Sequence, residues 1–244
     1  MKIAVIADIH GNAPALEAVL ADIERLHVDQ IIDLGDAFNG PIDPARVAEL
    51  LQTQAMIHIR GNGERMVLAE DAAARSLSAE FARTRLSPAQ LQWIQRWPAL
   101  HRTADFLACH GSPTSDTEYL LEELTPDAVR RRTRAEIQAR LGAVEPSLVL
   151  CAHSHVPRFV QVSSTTWVLN PGSVGLPAYA LDAPIPHKME VGSLSARYAF
   201  VEQVKAGWRV AHMAVPYDWE LAATMANRAG FPAWADTLRS GYAA

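Results

Sequence analysis

Seven side chains of the kinds that bind metal ions stand just beyond short apolar runs: Asp8 and His10 after KIAVIA, Asp36 after QIIDLG, Asn62 after AMIHIRG, His110 after FLAC, and His153 and His155 after SLVLCA. Chance would scatter such residues over helices as well, so five runs ending this way point to one destination. In an open α/β sheet, ligands collect beyond the carboxyl ends of the strands. Seven donors are too many for one four-coordinate ion, but with one bridging carboxylate they make two sites of about four protein ligands each. Asp36 is the natural bridge, because a carboxylate can share its lone pairs between two cations. The mixed nitrogen and oxygen set suits Mn²⁺, Fe²⁺, Zn²⁺ or Ni²⁺, manganese first, over Mg²⁺ or Ca²⁺. Two such cations about 3.5 to 4 Å apart can hold a hydroxide and clamp a phosphoryl group, so that water is the nucleophile of an in-line displacement.

The elements that position these residues are legible from periodicity. Ile3, Val5 and Ile6 form a run too dense to have a wet face, a buried central strand. On an extended chain Asp8 and His10 project to one side. Asn12 as cap and Pro14 as first helical residue begin a helix to Leu26, which leaves Asp8 without a structural task. Gln30–Leu34 and Ala55–Ile59 read as further strands around a helix from Pro44 to Leu51, an order that predicts a parallel sheet with right-handed crossovers. Two helices, 71–86 and 88–97, form a helical insertion at about 64–98. Leu100–Thr103 and Phe106–Cys109 form a hairpin. Thr125, Pro126 and Asp127 open a helix that carries Arg130, Arg131, Arg132 and Arg134 as a solvated face and stops at Gly142. Arg158–Val162, Thr165–Leu169, Ala196–Val204 and Trp208–Val215 have the β-branched and aromatic content of an antiparallel meander. The long segment 170–195 is rich in Pro and Gly, and its part from Leu176 to Ser195 is expected to cover the site. Closing helices fall at about 218–240, and no linker divides residues 1–244 into separate domains.

The chain has 244 residues, 49% hydrophobic and 20% charged, with a formal net charge of −5. These values fit a globular protein and exclude an extended nucleic-acid track, which needs a basic footprint. No run spans a membrane and the N-terminus leads straight into a strand, so the expected location is the cytoplasm. Cys109 and Cys151 lie in apolar runs and act as small hydrophobes, with neither a disulfide nor a catalytic task. Composition leaves a homo-oligomer open.

The ordered blocks DIH at 8–10, GD at 35–36, GN at 61–62, HG at 110–111 and HSH at 153–155 resemble the calcineurin-like metallophosphoesterase superfamily, and NPGSVGLP at 170–177 is similar to its small bacterial and archaeal phosphodiesterase branch. The resemblance covers residues 1 to about 215. It implies a two-sheet β-sandwich flanked by helices, an α/β fold, with a dinuclear centre at one end. By it, Asp8, His10, Asp36 and His155 hold one metal, and Asp36, Asn62, His110 and His153 the other, with Asp36, Asn62 and His110 closest to catalysis. Cys151 replaces the usual glycine of the last motif. Gly63 stands where phosphatase members carry a proton-donating histidine, and Glu64 follows it in place of aspartate.

The expected activity is hydrolysis of a small phosphodiester or nucleotide phosphoanhydride. A phosphomonoesterase or protein phosphatase of the same family, and a non-catalytic metal-binding scaffold on this fold, are the alternatives. An amidohydrolase-type metal enzyme also uses an HxH pair, but there the pair ends the first strand, whereas here it comes late. Asn12 and Arg60 are candidates to reach phosphate oxygens. Without an acid at position 63, substrates with acidic leaving groups are favoured, and Gly63→His is expected to raise alkyl monoester hydrolysis. Among the remaining histidines, His187 in the long loop is an alternative acid.

Overall fold

The computed structural model describes residues 1–126, 128–143 and 146–244. Strand β1 (Lys2–Ile6) lies in the middle of the first sheet because both its faces are apolar: Ile3 and Val5 enter one core, Ala4 and Ile6 another, all fully buried. Strands β2 (Gln30–Asp33) and β3 (Met56–His58) follow on one side, each parallel to its neighbour. Helices α1 (Ala13–Glu24) and α2 (Pro44–Gln52) make the crossovers. Asn12 caps α1 by accepting the Ala15 N–H, and Asp43 caps α2 by accepting that of Arg46. Leu16, Val19, Val47 and Leu51 press these helices onto the outer face of the sheet.

The insertion contributes α3 (Asn62–Leu68), a 3₁₀ turn (Ala72–Ala74), α4 (Leu77–Arg83) and α5 (Pro88–Gln95). The expected single helix over 71–86 is therefore broken. Ser76 accepts the Ala79 N–H and starts α4, while the Arg75 guanidinium donates to the Ala69 and Glu70 carbonyls.

The second sheet is built from β4 (Leu100–Arg102), β5 (Phe106–Cys109), β8 (Leu148–Leu150), β9 (Arg158–Gln161) and β10 (Trp167–Asn170), in the order β4-β5-β8-β10-β9 with β5, β8 and β10 parallel. Ile3, Val5, Ile32 and Leu34 of the first sheet share a core with Phe106, Ala108, Leu148 and Leu150 of the second. This is a sandwich flanked by helices, as expected. On its outer side Leu107, Val149 and Val168 bury Ile137 and Leu141 of α6 (Arg134–Leu141). The cysteines are free and buried in the same layer, where burial pushes the Cys109 thiol up to about 12.

Two expectations are corrected. The segment before Gly142 is not one helix: β6 (Glu122–Leu124) and β7 (Val129–Arg131) form a hairpin turned by Thr125 and Ala128, and Thr133 with Glu136 starts α6 through a capping box. Asp127 lies outside the described residues. Arg130 and Arg131 thus sit on a strand, and Arg132 is buried and donates to the Tyr119 carbonyl. The four-strand meander is also split. β9 and β10 belong to the second sheet, whereas β13 (Ala196–Val204) and β14 (Gly207–Val215) extend the first, with β13 antiparallel to β1. Strand alternation specifies which face is buried, not which strand is the partner.

Between them the chain makes a separate hairpin of β11 (Ala178–Leu181) and β12 (His187–Glu190). Helices α7 (Trp219–Arg228) and α8 (Pro232–Ser240) close the described fold. Among the described residues no helix is long and apolar enough to cross a membrane.

Candidate metal centre

Strand β1 ends at Ile6, and beyond it the backbone leaves the extended region. Asp8, His10, Asp36, His153 and His155 have φ of 54°, 51°, 56°, 67° and 58°. Left-handed backbone costs a residue with a Cβ roughly 1–2 kcal/mol, and concentrations of such strain mark functional sites. Asp8 and His10 therefore meet through two left-handed kinks, not through the pleat of an extended strand. The loops that hold them are locked together: the Asp8 N–H donates to the Gly35 carbonyl and the His10 N–H to that of Asp36.

Two buried clusters result, Asp8 with His10 and His155, and Asp36 with His110 and His153, each with its ligand atoms within 4.8 Å of one another. The histidine tautomers are fixed from behind. His155 Nδ1 donates to the Leu176 carbonyl at 2.8 Å, His110 Nδ1 to the Leu34 carbonyl at 2.8 Å, and His10 Nδ1 to Asn39, with its backbone oxygen at 3.0 Å and Oδ1 at 2.9 Å. Each Nε2 is then a lone pair aimed into the centre, the arrangement that metal-ligating imidazoles share. His10 Nε2 and His155 Nε2 face each other at 3.1 Å, and His110 Nε2 faces Asn62 Oδ1 at 3.1 Å. Between the neutral rings of His10 and His155, lone pairs at that distance repel, and a cation held by both removes the conflict.

Asp8 makes the same point. Both its carboxylate oxygens are buried without a hydrogen-bond partner, a costly state for a charged group. Burial alone would raise its pKa, but His155, His110 and His10 hold it below the ordinary carboxylate value. Burial also pushes His153 down to about 3 and, with His155, lowers His10, so these two rings stay neutral and able to ligate. At His110 burial is outweighed by the Asp36 and Asp8 carboxylates, which raise it. The donor set fits borderline divalent ions.

Neighbouring residues shape the centre. Glu64 is fully buried and accepts the N–H groups of Asp36 at 2.8 Å, Ala37 at 2.7 Å and Gly61 at 2.9 Å, which fixes the loop carrying Asp36. The Gly63 N–H donates to Asp36 Oδ1 at 2.6 Å, and a Cβ at position 63 would lie 2.9 Å from both that oxygen and Asn39 Nδ2. A side chain at position 63 therefore requires Asp36 or Asn39 to shift, so Gly63→His disturbs the Asp36 carboxylate as well as adding a ring.

Tyr119 stacks on His153 with centroids 4.8 Å apart, and the Tyr179 hydroxyl lies 2.9 Å from the His153 carbonyl. His187 Nδ1 donates to the Ile185 carbonyl, and its Nε2 lies 2.9 Å from the Tyr119 hydroxyl. It therefore braces Tyr119 and does not line the cavity.

A cavity of about 420 Å³ opens over the clusters, with His10, Asp36, Asn62, His153 and His155 on its wall. Asn12 is elsewhere: it is fully buried, caps α1 and donates to the Gly175 carbonyl and the Tyr217 hydroxyl. Arg60 is not on the wall either. Asn39, Tyr119, Tyr179 and, from α8, Trp234 were not singled out from sequence. Asn39, three residues past Asp36, and Tyr179, two residues past the NPGSVGLP block, lie near enough to a motif to have been found.

Residues 1–184 match the calcineurin-like phosphoesterase superfamily domain. An uncharacterised protein of Methanocaldococcus jannaschii is 23% identical over 200 residues, covering 72% of this chain and 76% of that protein. The crystal structure of a metallophosphoesterase from Sphaerobacter thermophilus is similar with a TM-score of 0.77 at 26% identity over 99% of both chains. That of a hypothetical protein from Pyrococcus horikoshii OT3 gives 0.74 at 21% identity over 100% of this chain and 99% of the other, a likeness of fold. The sandwich, the two facing ligand clusters and the match over residues 1–184 agree: the chain belongs to the calcineurin-like phosphoesterase superfamily.

Proposed function

We propose that this protein is a metal-dependent hydrolase of a small phosphodiester or nucleotide phosphoanhydride. In this reading Asp8, His10, Asp36 and His155 hold one divalent transition ion and Asp36, Asn62, His110 and His153 the other, with manganese the first choice. The observation that carries the reading is the unmet lone-pair field of the centre: the unpartnered Asp8 carboxylate and the facing Nε2 atoms of His10 and His155. When bound, the ions supply positive charge for phosphoryl oxygens and make water a stronger acid. Asn39 and the Leu34 and Leu176 carbonyls keep the imidazoles in the ligating tautomer. Glu64 and the Gly63 N–H keep Asp36 in place. No side chain at position 63 can protonate the departing oxygen, so substrates with weakly basic leaving groups are favoured.

The test is bis-nitrophenyl phosphate turnover by chelator-stripped protein titrated with Mn²⁺. Turnover should be absent without metal and restored by it. Protein that binds two ions tightly and still does not turn over would instead support the scaffold reading.

A further inference from the structure

Residues other than the candidate ligands complete the cavity wall: Met66 of α3, Tyr179 and Leu181 of β11, and Trp234 and Thr237 of α8. Their character is consistent. Among the described residues no lysine, arginine or glutamate side chain lines the cavity, the side-chain charge on the wall belongs to Asp36 and to histidines of the two clusters, and the other charge there is the carboxylate of Ala244, the last residue of the sequence. Aromatic rings stand beside the Asp8 cluster. Trp234 meets His10 at 5.9 Å between centroids and 68° between planes, and Tyr179 meets His155 at 4.6 Å and 68°. Trp234 is partly buried against the apolar cluster of Ile42, Ala235 and Leu238 and lines the cavity.

We infer that this compartment receives the organic substituent of the substrate, an uncharged aromatic group esterified to a single phosphate, and that Trp234 determines the preference. The inference rests on the hydrolase reading above and narrows it. A flat, uncharged ring covers apolar wall and meets Trp234 and Tyr179 in the edge or offset arrangements that aromatic pairs favour. A polyphosphate chain, or a substituent with its own carboxylate, would be set against a wall that offers no cation, and burying an unpaired charge is costly. Phosphate itself is served by the ligand clusters, so discrimination falls on the group attached to it.

Non-hydrolysable probes separate the two levels of this reading. Binding of methylphosphonate, phenylphosphonate and 4-carboxyphenylphosphonate to the Mn²⁺-loaded full chain is measured by calorimetry. Phenylphosphonate should bind about tenfold or more tighter than methylphosphonate, and the added carboxylate should remove most of that gain. Trp234→Ala should bring phenylphosphonate to within about threefold of methylphosphonate, while Trp234→Phe keeps most of the preference. Methylphosphonate affinity in each variant reports whether the centre itself is intact. Equal binding of the phenyl and methyl probes, tighter binding of the carboxylated one, or an unchanged preference in Trp234→Ala overturns the inference and leaves the hydrolase reading standing. Failure of every phosphonate to bind protein that holds two ions overturns both.

Discussion

Replacing Asp8 with asparagine keeps the shape of the side chain and removes its charge, and the expected effect on stability differs between stripped and metal-loaded protein. Both carboxylate oxygens of Asp8 are buried without a donor. An unsatisfied buried polar group costs about 1–3 kcal/mol, more when charged, but the surrounding histidines outweigh that cost and hold the Asp8 carboxyl below its ordinary value, so near neutral pH the ionised form is net stabilising. In stripped protein Asp8→Asn should therefore melt below wild type, by about 2–4 °C for each kcal/mol of that stabilisation lost in a chain of this size. With Mn²⁺ the gap widens. An ion at about 100 times its Kd stabilises the native state by about 2.7 kcal/mol, or roughly 5–11 °C. If the neutral amide weakens binding about 100-fold, the same concentration gives the variant only about 0.4 kcal/mol. Calorimetric melting of both proteins, chelated and with Mn²⁺, decides the matter. Equal Mn²⁺-induced shifts, with the variant lower by the same amount in both conditions, would refute the reasoning and make Asp8 an ordinary structural aspartate.

Gly63→Ala places a Cβ 2.9 Å from Asp36 Oδ1, so Mn²⁺ affinity in a calorimetric titration should fall by about tenfold or more, the scale of losses seen when groups that position metal ligands are disturbed. Unchanged affinity would show that Asp36 has room to move. Shortening the β11–β12 hairpin, which brings Tyr179 and Leu181 to the cavity, should alter the ranking of phosphodiester substrates by kcat/KM more than it alters Tm. An unchanged ranking would make the hairpin an ordinary surface loop.

The chemistry of the centre was legible because its positions combine two strong sequence features. Strands buried on both faces are continuous apolar runs, as in VIA before Asp8 and VLCA before His153, and the residues that follow them are tied to one edge of the sandwich. Which strands pair across the second half was not legible, because Trp167–Asn170 and Ala196–Val204 share the same β-branched and aromatic character and join different sheets. The left-handed backbone at Asp8 and His10 has no compositional mark, since glycine is its usual sign. Trp234 illustrates a different limit. Its helix reads as a closing element, and that Trp234 lines the cavity depends on where α8 packs, a tertiary fact with no local trace. The capping task of Asn12 was visible in the Asn-x-Pro spacing, and in the fold its side chain is fully buried and donates to the Gly175 carbonyl.

The central claim is that two ions occupy the two clusters together. Anomalous diffraction from crystals of the Mn²⁺-loaded protein tests it directly. Two peaks are predicted, one among Asp8, His10 and His155 and the other among Asp36, His110 and His153, with Asp36 contacting both. A single peak, or peaks away from these residues, would contradict it.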